Sequence, residues 1–126
     1  MFSLAMRRTF SASHHLFGGD WGPENAPHAH EYRLEIELEG ARLNAHGFLI
    51  DLVEFERMVD ALLDEYRGRS LNNQPAFAGL NPSLEHFSRI LCQSLAPSLN
   101  GQQIAAITVR VWEDDAAWAS FRTSHP

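Results

Sequence analysis

Residues 31–39 alternate between apolar and charged side chains, and this alternation constrains the fold more than any other feature of the chain. The apolar positions are Tyr32, Leu34, Ile36 and Leu38, and the charged positions are Glu31, Arg33, Glu35, Glu37 and Glu39. Successive side chains of an extended chain point to opposite faces of a sheet. The segment therefore predicts a β-strand with one face in a core and the other in water.

Changes of period along the rest of the chain indicate the other elements. A similar alternation predicts a first strand over residues 2–10, and residues 107–111 and 117–122 predict two later strands. Apolar residues recur every three or four positions over 52–66 and over 84–95, which is typical of amphipathic helices. The predicted order is β-β-α-α-β-β, an α+β fold in which two helices cover one face of a four-stranded antiparallel sheet.

Local signals predict where the helices begin and end. Asp51, with Glu54 three residues later, predicts the start of the first helix, and Gly68 predicts its end. Asn81, followed by a proline as the first helical residue, predicts the start of the second helix. Residues 17–27 contain three glycines and two prolines, which predicts a loop between the first two strands.

Composition and charge narrow the class of protein. The 126 residues, 44% hydrophobic and 21% charged, predict one globular domain over residues 1–126. A formal net charge of −6 argues against nucleic acid and anionic membranes as partners, because both require a basic surface. No apolar run reaches the ~20 residues of a membrane span. The single cysteine, Cys92, excludes an internal disulfide and fits a cytoplasmic location.

Three histidines, His14, His28 and His30, suggest a metal site, and we call them the histidine cluster. His28 and His30 are two positions apart in an extended segment, so their side chains project from one face. An antiparallel neighbour could bring His14 to the same ion. Three neutral imidazoles with one open position are typical of catalytic zinc, Zn²⁺. The alternative is that one or two of these residues are ordinary surface or core histidines.

Short motifs along essentially the whole chain match one protein family. They are Phe10-Ser11-Ala12-Ser13-His14-His15-Leu16, His28-Ala29-His30, Gly47-Phe48-Leu49-Ile50-Asp51-Leu52, Leu71-Asn72, Asn81-Pro82-Ser83-Leu84-Glu85 and Trp112-Glu113. In these motifs the chain resembles the 6-pyruvoyltetrahydropterin synthase and 6-carboxytetrahydropterin synthase family. The resemblance implies the tunnelling fold, in which trimers join their sheets into a barrel and two trimers stack into a homo-hexamer. It also implies active sites at subunit interfaces.

The resemblance further implies roles for individual residues. The histidine cluster matches the zinc ligands of the family, where zinc acts as a Lewis acid on side-chain oxygens of a dihydropterin substrate. Glu113 matches a glutamate that accepts hydrogen bonds from the ring NH and the exocyclic amine of the pterin. Without that role it would be a solvated carboxylate at the end of a strand. Glu85 matches a residue beside the site, and its other explanation is an acid favoured by the helix dipole.

Two departures from the family pattern change the expected chemistry. The family base is a cysteine four residues before the first histidine of the His-x-His motif, and Glu24 occupies that position here. The family also relays protons through an Asp-His pair, where an ungapped comparison places Arg67 and Gly68. A family subgroup with glutamate in place of the cysteine is associated with removing the side chain of dihydroneopterin triphosphate, which gives 6-hydroxymethyldihydropterin. Glu24 is then either the catalytic base of such a cleavage or a polar loop residue.

The sequence therefore predicts a zinc-dependent lyase that converts 7,8-dihydroneopterin or its triphosphate by side-chain cleavage or elimination. One alternative is a catalytically degenerate homologue that binds a pterin without synthase activity. Another is a metalloprotein in which zinc only fastens the loop. A substrate panel with product analysis would separate the first hypothesis from the other two.

Overall fold

The computed structural model describes residues 1–125 and has the predicted order of elements. Pro126, the last residue of the predicted domain, lies outside the described residues. The strands and α-helices are β1 (Phe2–His14), β2 (His28–Gly40), α1 (Leu52–Leu63), α2 (Leu84–Leu95), β3 (Ala106–Trp112) and β4 (Trp118–Ser124). All strands pair antiparallel in the order β1-β2-β3-β4, so the predicted α+β fold is confirmed. None of the helices within residues 1–125 is both long and apolar enough to cross a membrane.

The apolar side chains of β2 face the helices. Leu34, Ile36 and Leu38 are buried on this face of the sheet. They belong to the same core cluster as Phe55 of α1 and Leu91 of α2. The predicted buried face of the strand is therefore confirmed, and it shares one core with both helices.

The opposite face of the sheet carries charged side chains that pair across neighbouring strands. Glu35 of β2 lies between Arg7 of β1 and Arg110 of β3, at 3.1 Å and 3.0 Å. Arg110 also contacts Glu37 at 3.3 Å. Each exposed pair contributes little stability alone, but the alternating signs favour the observed pairing of the strands.

The pairing of β1 with β2 positions the histidine cluster. The register is continuous over the 13 residues of each strand. His14, the last residue of β1, lies directly opposite His28, the first residue of β2, and Ala12 lies opposite His30. Because alternate residues share a face, all three imidazoles project on the same side at one end of the sheet.

The start of α1 agrees with the sequence, but its end does not. Asp51 caps the helix, and its carboxylate accepts hydrogen bonds from two backbone N–H groups of the first turn. The predicted end at Gly68 is wrong, because the helix ends at Leu63. Gly68 lies beyond it at φ +69° and donates its backbone N–H to the carbonyl of Ser11 at 2.8 Å. This glycine therefore joins the segment after α1 to β1, in a conformation that other residues rarely adopt.

The predicted start of α2 at Asn81 is also wrong. Ser83 is the N-cap, its hydroxyl accepts from the N–H of His86 at 3.1 Å, and the helix begins at Leu84. The side chain of Asn81 is not free to cap, because it is hydrogen-bonded to the backbone of Phe17. A distant contact thus decides between two residues that are both good caps.

Candidate metal centre

The histidine cluster forms a compact group at the end of the β1–β2 pair. The ring centroids are 4.5 Å apart for His14 and His28, and His30 is 4.8 Å from each of them. The Nε2 atoms of all three rings are buried and lack a hydrogen-bond partner. One ligand atom from each ring and one from Glu24 lie within 4.8 Å of one another. Buried polar atoms without partners are rare, and several that converge in this way indicate a place for a cation.

Hydrogen bonds at Nδ1 orient two of the rings. The Nδ1 atom of His28 lies 2.8 Å from the carbonyl oxygen of Ala26, which can only accept, so in a neutral ring Nδ1 carries the proton and Nε2 keeps its lone pair. The Nδ1 atom of His14 lies 2.8 Å from the hydroxyl of Tyr32. Both contacts leave Nε2 as the nitrogen that faces the cluster.

Burial keeps the imidazole of His14 neutral. Its side chain is 3% exposed. Burial, followed by the neighbouring rings of His30 and His28, lowers the pKa of His14 from 6.5 to about 4. Neutral imidazole is the form that binds a metal ion, so His14 needs to release no proton at neutral pH before it can bind one.

Glu24 reaches the cluster from the loop between β1 and β2. It lies in a short 3-10 turn, Gly22–Asn25, and its Oε2 atom is 3.1 Å from Nε2 of His28 and 4.0 Å from Nε2 of His14. Its side chain is about half exposed, so it is also open to solvent. The structure therefore brings Glu24 to the histidines, while its predicted role as a base stays a prediction.

The donor set of this group fits zinc. Imidazole nitrogens suit zinc and related transition metals, whereas Mg²⁺ and Ca²⁺ prefer oxygen ligands. Three histidines leave a fourth position, and Glu24 lies close enough to fill it or to act on a ligand that fills it. The residues present could therefore hold such an ion.

Two asparagine side chains hold the segment that follows His14, and we call Asn72 and Asn81 the asparagine pair. Asn72 accepts a hydrogen bond from the N–H of His15 at 2.9 Å and donates one to its carbonyl at 3.0 Å. Asn81 makes the same two bonds to Phe17, at 2.9 Å and 3.0 Å. The pair thus satisfies the backbone of alternate residues much as a neighbouring strand would.

Between these two contacts, Leu16 binds the loop that carries Glu24. Its N–H donates to the carbonyl of Glu24 at 2.8 Å, and its carbonyl accepts from the side-chain amide of Asn25 at 3.0 Å. The backbone of Glu24 is therefore tied to the residues directly after His14. Sequence reasoning missed this role of the asparagine pair. The one feature of the sequence that could have pointed to it is that both residues stand in the family motifs.

Glu113 lies on the other side of His30. It follows β3, and its Oε2 atom is 3.8 Å from Nε2 of His30. Burial raises the pKa of its carboxyl group, and the nearby carboxylate of Glu24 adds to this effect, whereas His30 opposes it. The structure thus brings this sequence-predicted residue to the cluster, with part of its side chain open to a ligand.

Glu85 is placed differently. It is exposed in the first turn of α2 and is not part of the group that could hold a metal. Its predicted role in substrate binding stays a prediction. The residues in place of the family's Asp-His pair offer no relay, since Gly68 has no side chain and the Arg67 guanidinium pairs with Asp64 at 3.1 Å.

Comparison with known proteins agrees with this geometry. The family described as 6-pyruvoyl tetrahydropterin synthase matches residues 3–124. The chain belongs to this family. A 6-pyruvoyl tetrahydrobiopterin synthase of Dictyostelium discoideum is 26% identical over 107 residues, which cover 76% of this chain and 79% of that protein.

Solved structures of synthases from this family share the fold. The 6-pyruvoyl tetrahydropterin synthase of Caenorhabditis elegans superposes with a TM-score of 0.80 at 21% identity, over 98% of each chain. A Plasmodium vivax synthase gives a TM-score of 0.79 at 15% identity, again over 98% of each chain. That structure is a catalytic-residue mutant in which a glutamate is replaced by alanine. These likenesses confirm the tunnelling fold.

Proposed function

We propose that this family member is a zinc-dependent lyase that cleaves the side chain of 7,8-dihydroneopterin or of its triphosphate. The observation that carries the proposal is the Glu24 carboxylate, 3.1 Å from Nε2 of His28, in a group of three buried Nε2 atoms that make no hydrogen bond. A base next to metal ligands suits a reaction in which one substrate oxygen is polarised while a neighbouring hydroxyl loses its proton.

The histidine cluster would hold the ion, which when bound would supply a Lewis acid for a side-chain oxygen of the substrate. Glu24 takes the proton of a side-chain hydroxyl, and a carbonyl forms at that carbon as the adjoining carbon–carbon bond breaks. The protonated Glu24 then returns its proton to the carbon that stays on the pterin ring. The cleavage therefore requires neither an oxidant nor a reductant.

Glu113 is the proposed anchor for the pterin ring. The ring NH and the exocyclic amine are adjacent donors, and one carboxylate can accept from both. Its position beside His30 would place a pterin bound there next to the proposed metal site. Glu85 is proposed as a second substrate-binding residue on the family resemblance alone.

The residues in place of the Asp-His pair favour a second candidate function, a catalytically degenerate pterin-binding homologue. Neither Arg67 nor Gly68 can relay a proton, and Glu24 replaces the family cysteine. We therefore expect formation of 6-pyruvoyl- and 6-carboxytetrahydropterin to be negligible. The Plasmodium vivax synthase is described as having a catalytic glutamate, so the family offers a precedent for a glutamate among its catalytic residues.

Product analysis of Glu24→Gln tests the lyase. Metal-replete wild-type protein should form 6-hydroxymethyldihydropterin from dihydroneopterin or its triphosphate, and Glu24→Gln should lose about 10²–10⁴-fold in turnover while keeping zinc and pterin. Glu31→Gln changes an exposed glutamate on β2 and should leave turnover unchanged. Equal cleavage by wild type and Glu24→Gln would remove Glu24 from the mechanism. Tight pterin binding without turnover of any dihydropterin would favour the degenerate homologue.

Metal content tests the zinc site separately. Elemental analysis of purified wild-type protein should find about one zinc per subunit, and His28→Ala should hold much less because one of three protein ligands is lost. Undiminished zinc in His28→Ala would contradict the assignment of the histidine cluster.

We also propose a homo-hexamer built as a dimer of trimers, with active sites at subunit interfaces. Among the described residues, the outer strands β1 and β4 each have one edge without a neighbouring strand, although residues 68–70 bond to β1 at Ser11 and Ser13. Such edges are usually covered or paired. Four apolar side chains near one end of β1 and the start of α1 are exposed by about half: Phe2, Phe48, Leu52 and Val53. A cytoplasmic location is part of the proposal and fits the single cysteine, Cys92, which is buried.

A further inference from the structure

We infer that Tyr32 is a positioning residue for the proposed metal site, because its hydroxyl fixes the ring of His14 with Nε2 toward the ion. The inference rests on the metal site of the proposed function. Tyr32 would not touch the ion or a substrate and would act only through His14.

The hydrogen bond joins two buried groups whose positions are set by the core. The Tyr32 hydroxyl and Nδ1 of His14 are 2.8 Å apart, and the two residues are 1% and 3% exposed. The Tyr32 ring stacks on Phe10 at a centroid distance of 5.5 Å and meets the edge of Phe87 at 5.3 Å. Because both neighbours are core residues, the hydroxyl cannot move far from its place.

The chemistry of imidazole makes this contact select which nitrogen of His14 faces the proposed ion. A neutral ring binds a metal ion through the nitrogen that lacks a proton, so binding through Nε2 leaves the proton on Nδ1. The phenol oxygen of Tyr32, 2.8 Å from Nδ1, would then accept that proton. Turning the His14 ring over would break the bond and leave a buried N–H without a partner, which is costly.

His28 shows the same arrangement with a different partner. Its Nδ1 atom is held by the carbonyl of Ala26, so each of these two rings has a hydrogen bond that reserves Nε2 for the cluster. Partners of this kind orient metal ligands, and their loss typically weakens metal affinity about 10–100-fold. The hydroxyl of Tyr32 is therefore the group on β2 that prepares the ligand on β1.

Zinc titration of Tyr32→Phe and Tyr66→Phe in the full chain tests the inference. Each change removes one hydroxyl from a buried tyrosine whose ring meets the edge of Phe87, and the Tyr66 hydroxyl makes no hydrogen bond to His14 or to the rest of the cluster. In competition with a chelator, Tyr32→Phe should bind zinc about 10–100-fold more weakly than wild type. Tyr66→Phe should bind as wild type does.

Four outcomes would overturn the inference, and a second measurement, nitrogen NMR of the wild-type protein, serves if the variant fails to fold. Equal zinc affinity in Tyr32→Phe and wild type would show that the hydroxyl is dispensable, and an equal loss in both variants would show a general effect on the core. In zinc-loaded wild-type protein, nitrogen NMR should find His14 protonated at Nδ1 with that proton hydrogen-bonded, and an unprotonated Nδ1 would overturn the inference. Wild-type protein that binds no zinc would instead refute the proposed metal site, and with it this inference.

Discussion

At the scale of single residues, His14 links the burial of the core to the pH dependence of stability. Its pKa in the folded protein is about 4, against an ordinary 6.5. Between these values the unfolded chain takes up a proton at His14 and the folded chain does not, so protonation favours unfolding. The free energy of unfolding of the metal-free protein should therefore fall as pH decreases from about 6.5 to about 4. One such proton contributes at most about 1.4 kcal/mol per pH unit.

Urea denaturation of metal-free protein at a series of pH values measures this slope. His14→Gln removes the titrating ring and should flatten the curve over this interval. His46→Gln changes an exposed histidine in a turn and should leave the slope as it is in wild type. An unchanged slope in His14→Gln would mean that other groups take up the proton.

Glu113 allows a direct test of the pterin anchor. Glu113→Gln keeps the size of the side chain but replaces one acceptor with a donor, which would face the donors of the pterin. We expect pterin binding, measured by calorimetry, to weaken by about 1–3 kcal/mol. Asp114→Asn alters the adjacent, exposed carboxylate and should bind as wild type does. An unchanged affinity in Glu113→Gln would contradict the assignment.

The residues of the site differ in how far sequence could predict them. His28 and His30 follow from alternation alone, because the face of a strand is a local property. Glu24 was singled out only through the family resemblance, since nothing in its loop distinguishes it from a polar surface residue. Tyr32 and Asn72 act on partners 18 and 57 positions away, and the packing of the whole chain decides such contacts.

At the scale of elements, the loop between β1 and β2 depends on the asparagine pair rather than on strand pairing. Asn72→Ala removes both hydrogen bonds to the partly buried backbone of His15. We expect the free energy of unfolding to fall by about 1–3 kcal/mol, because polar groups are left without partners. Amide hydrogen exchange at Leu16 should also accelerate, since its N–H donates to the carbonyl of Glu24 in this loop.

Asn44→Ala is the matched control for this experiment. Asn44 accepts hydrogen bonds from the backbone of His46 and Phe48 in a different loop, so its loss should leave exchange at Leu16 unchanged. Protection at Leu16 that survives in Asn72→Ala would show that the loop is held by other contacts.

The types of the elements followed from the sequence more reliably than their ends. Periodicity reports which face is buried, and β2 and α2 both bury the face that their sequences predict. The ends of a helix depend on which nearby residues form hydrogen bonds with other parts of the chain. Gly68 binds β1 and Asn81 binds the loop, so neither marks the helix boundary that its residue type suggests.

At the scale of the whole molecule, the proposed hexamer predicts a particle of six 14.2 kDa chains. Val53→Glu places a charge among exposed apolar side chains at the start of α1, where the residue is 64% exposed. Light scattering coupled to size exclusion should find the hexamer for wild type and smaller species for the variant, because a charge is costly to bury at an interface. Ala61→Glu, on another exposed part of α1, should keep the wild-type size. A monomeric wild-type protein in this measurement would contradict the proposal.

The register that sets His14 against His28 also bears on the order in which the molecule folds. The proposed ligands lie on two strands that follow each other along the chain, so the contact between them closes only a short loop and costs little chain entropy. The ligands can therefore meet during synthesis before β3 and β4 exist. A slip of one residue would turn every side chain of a strand to the other face. A cation held by His14 and His28 would resist that slip, and it would serve the nascent chain as a template for correct pairing before it serves any reaction.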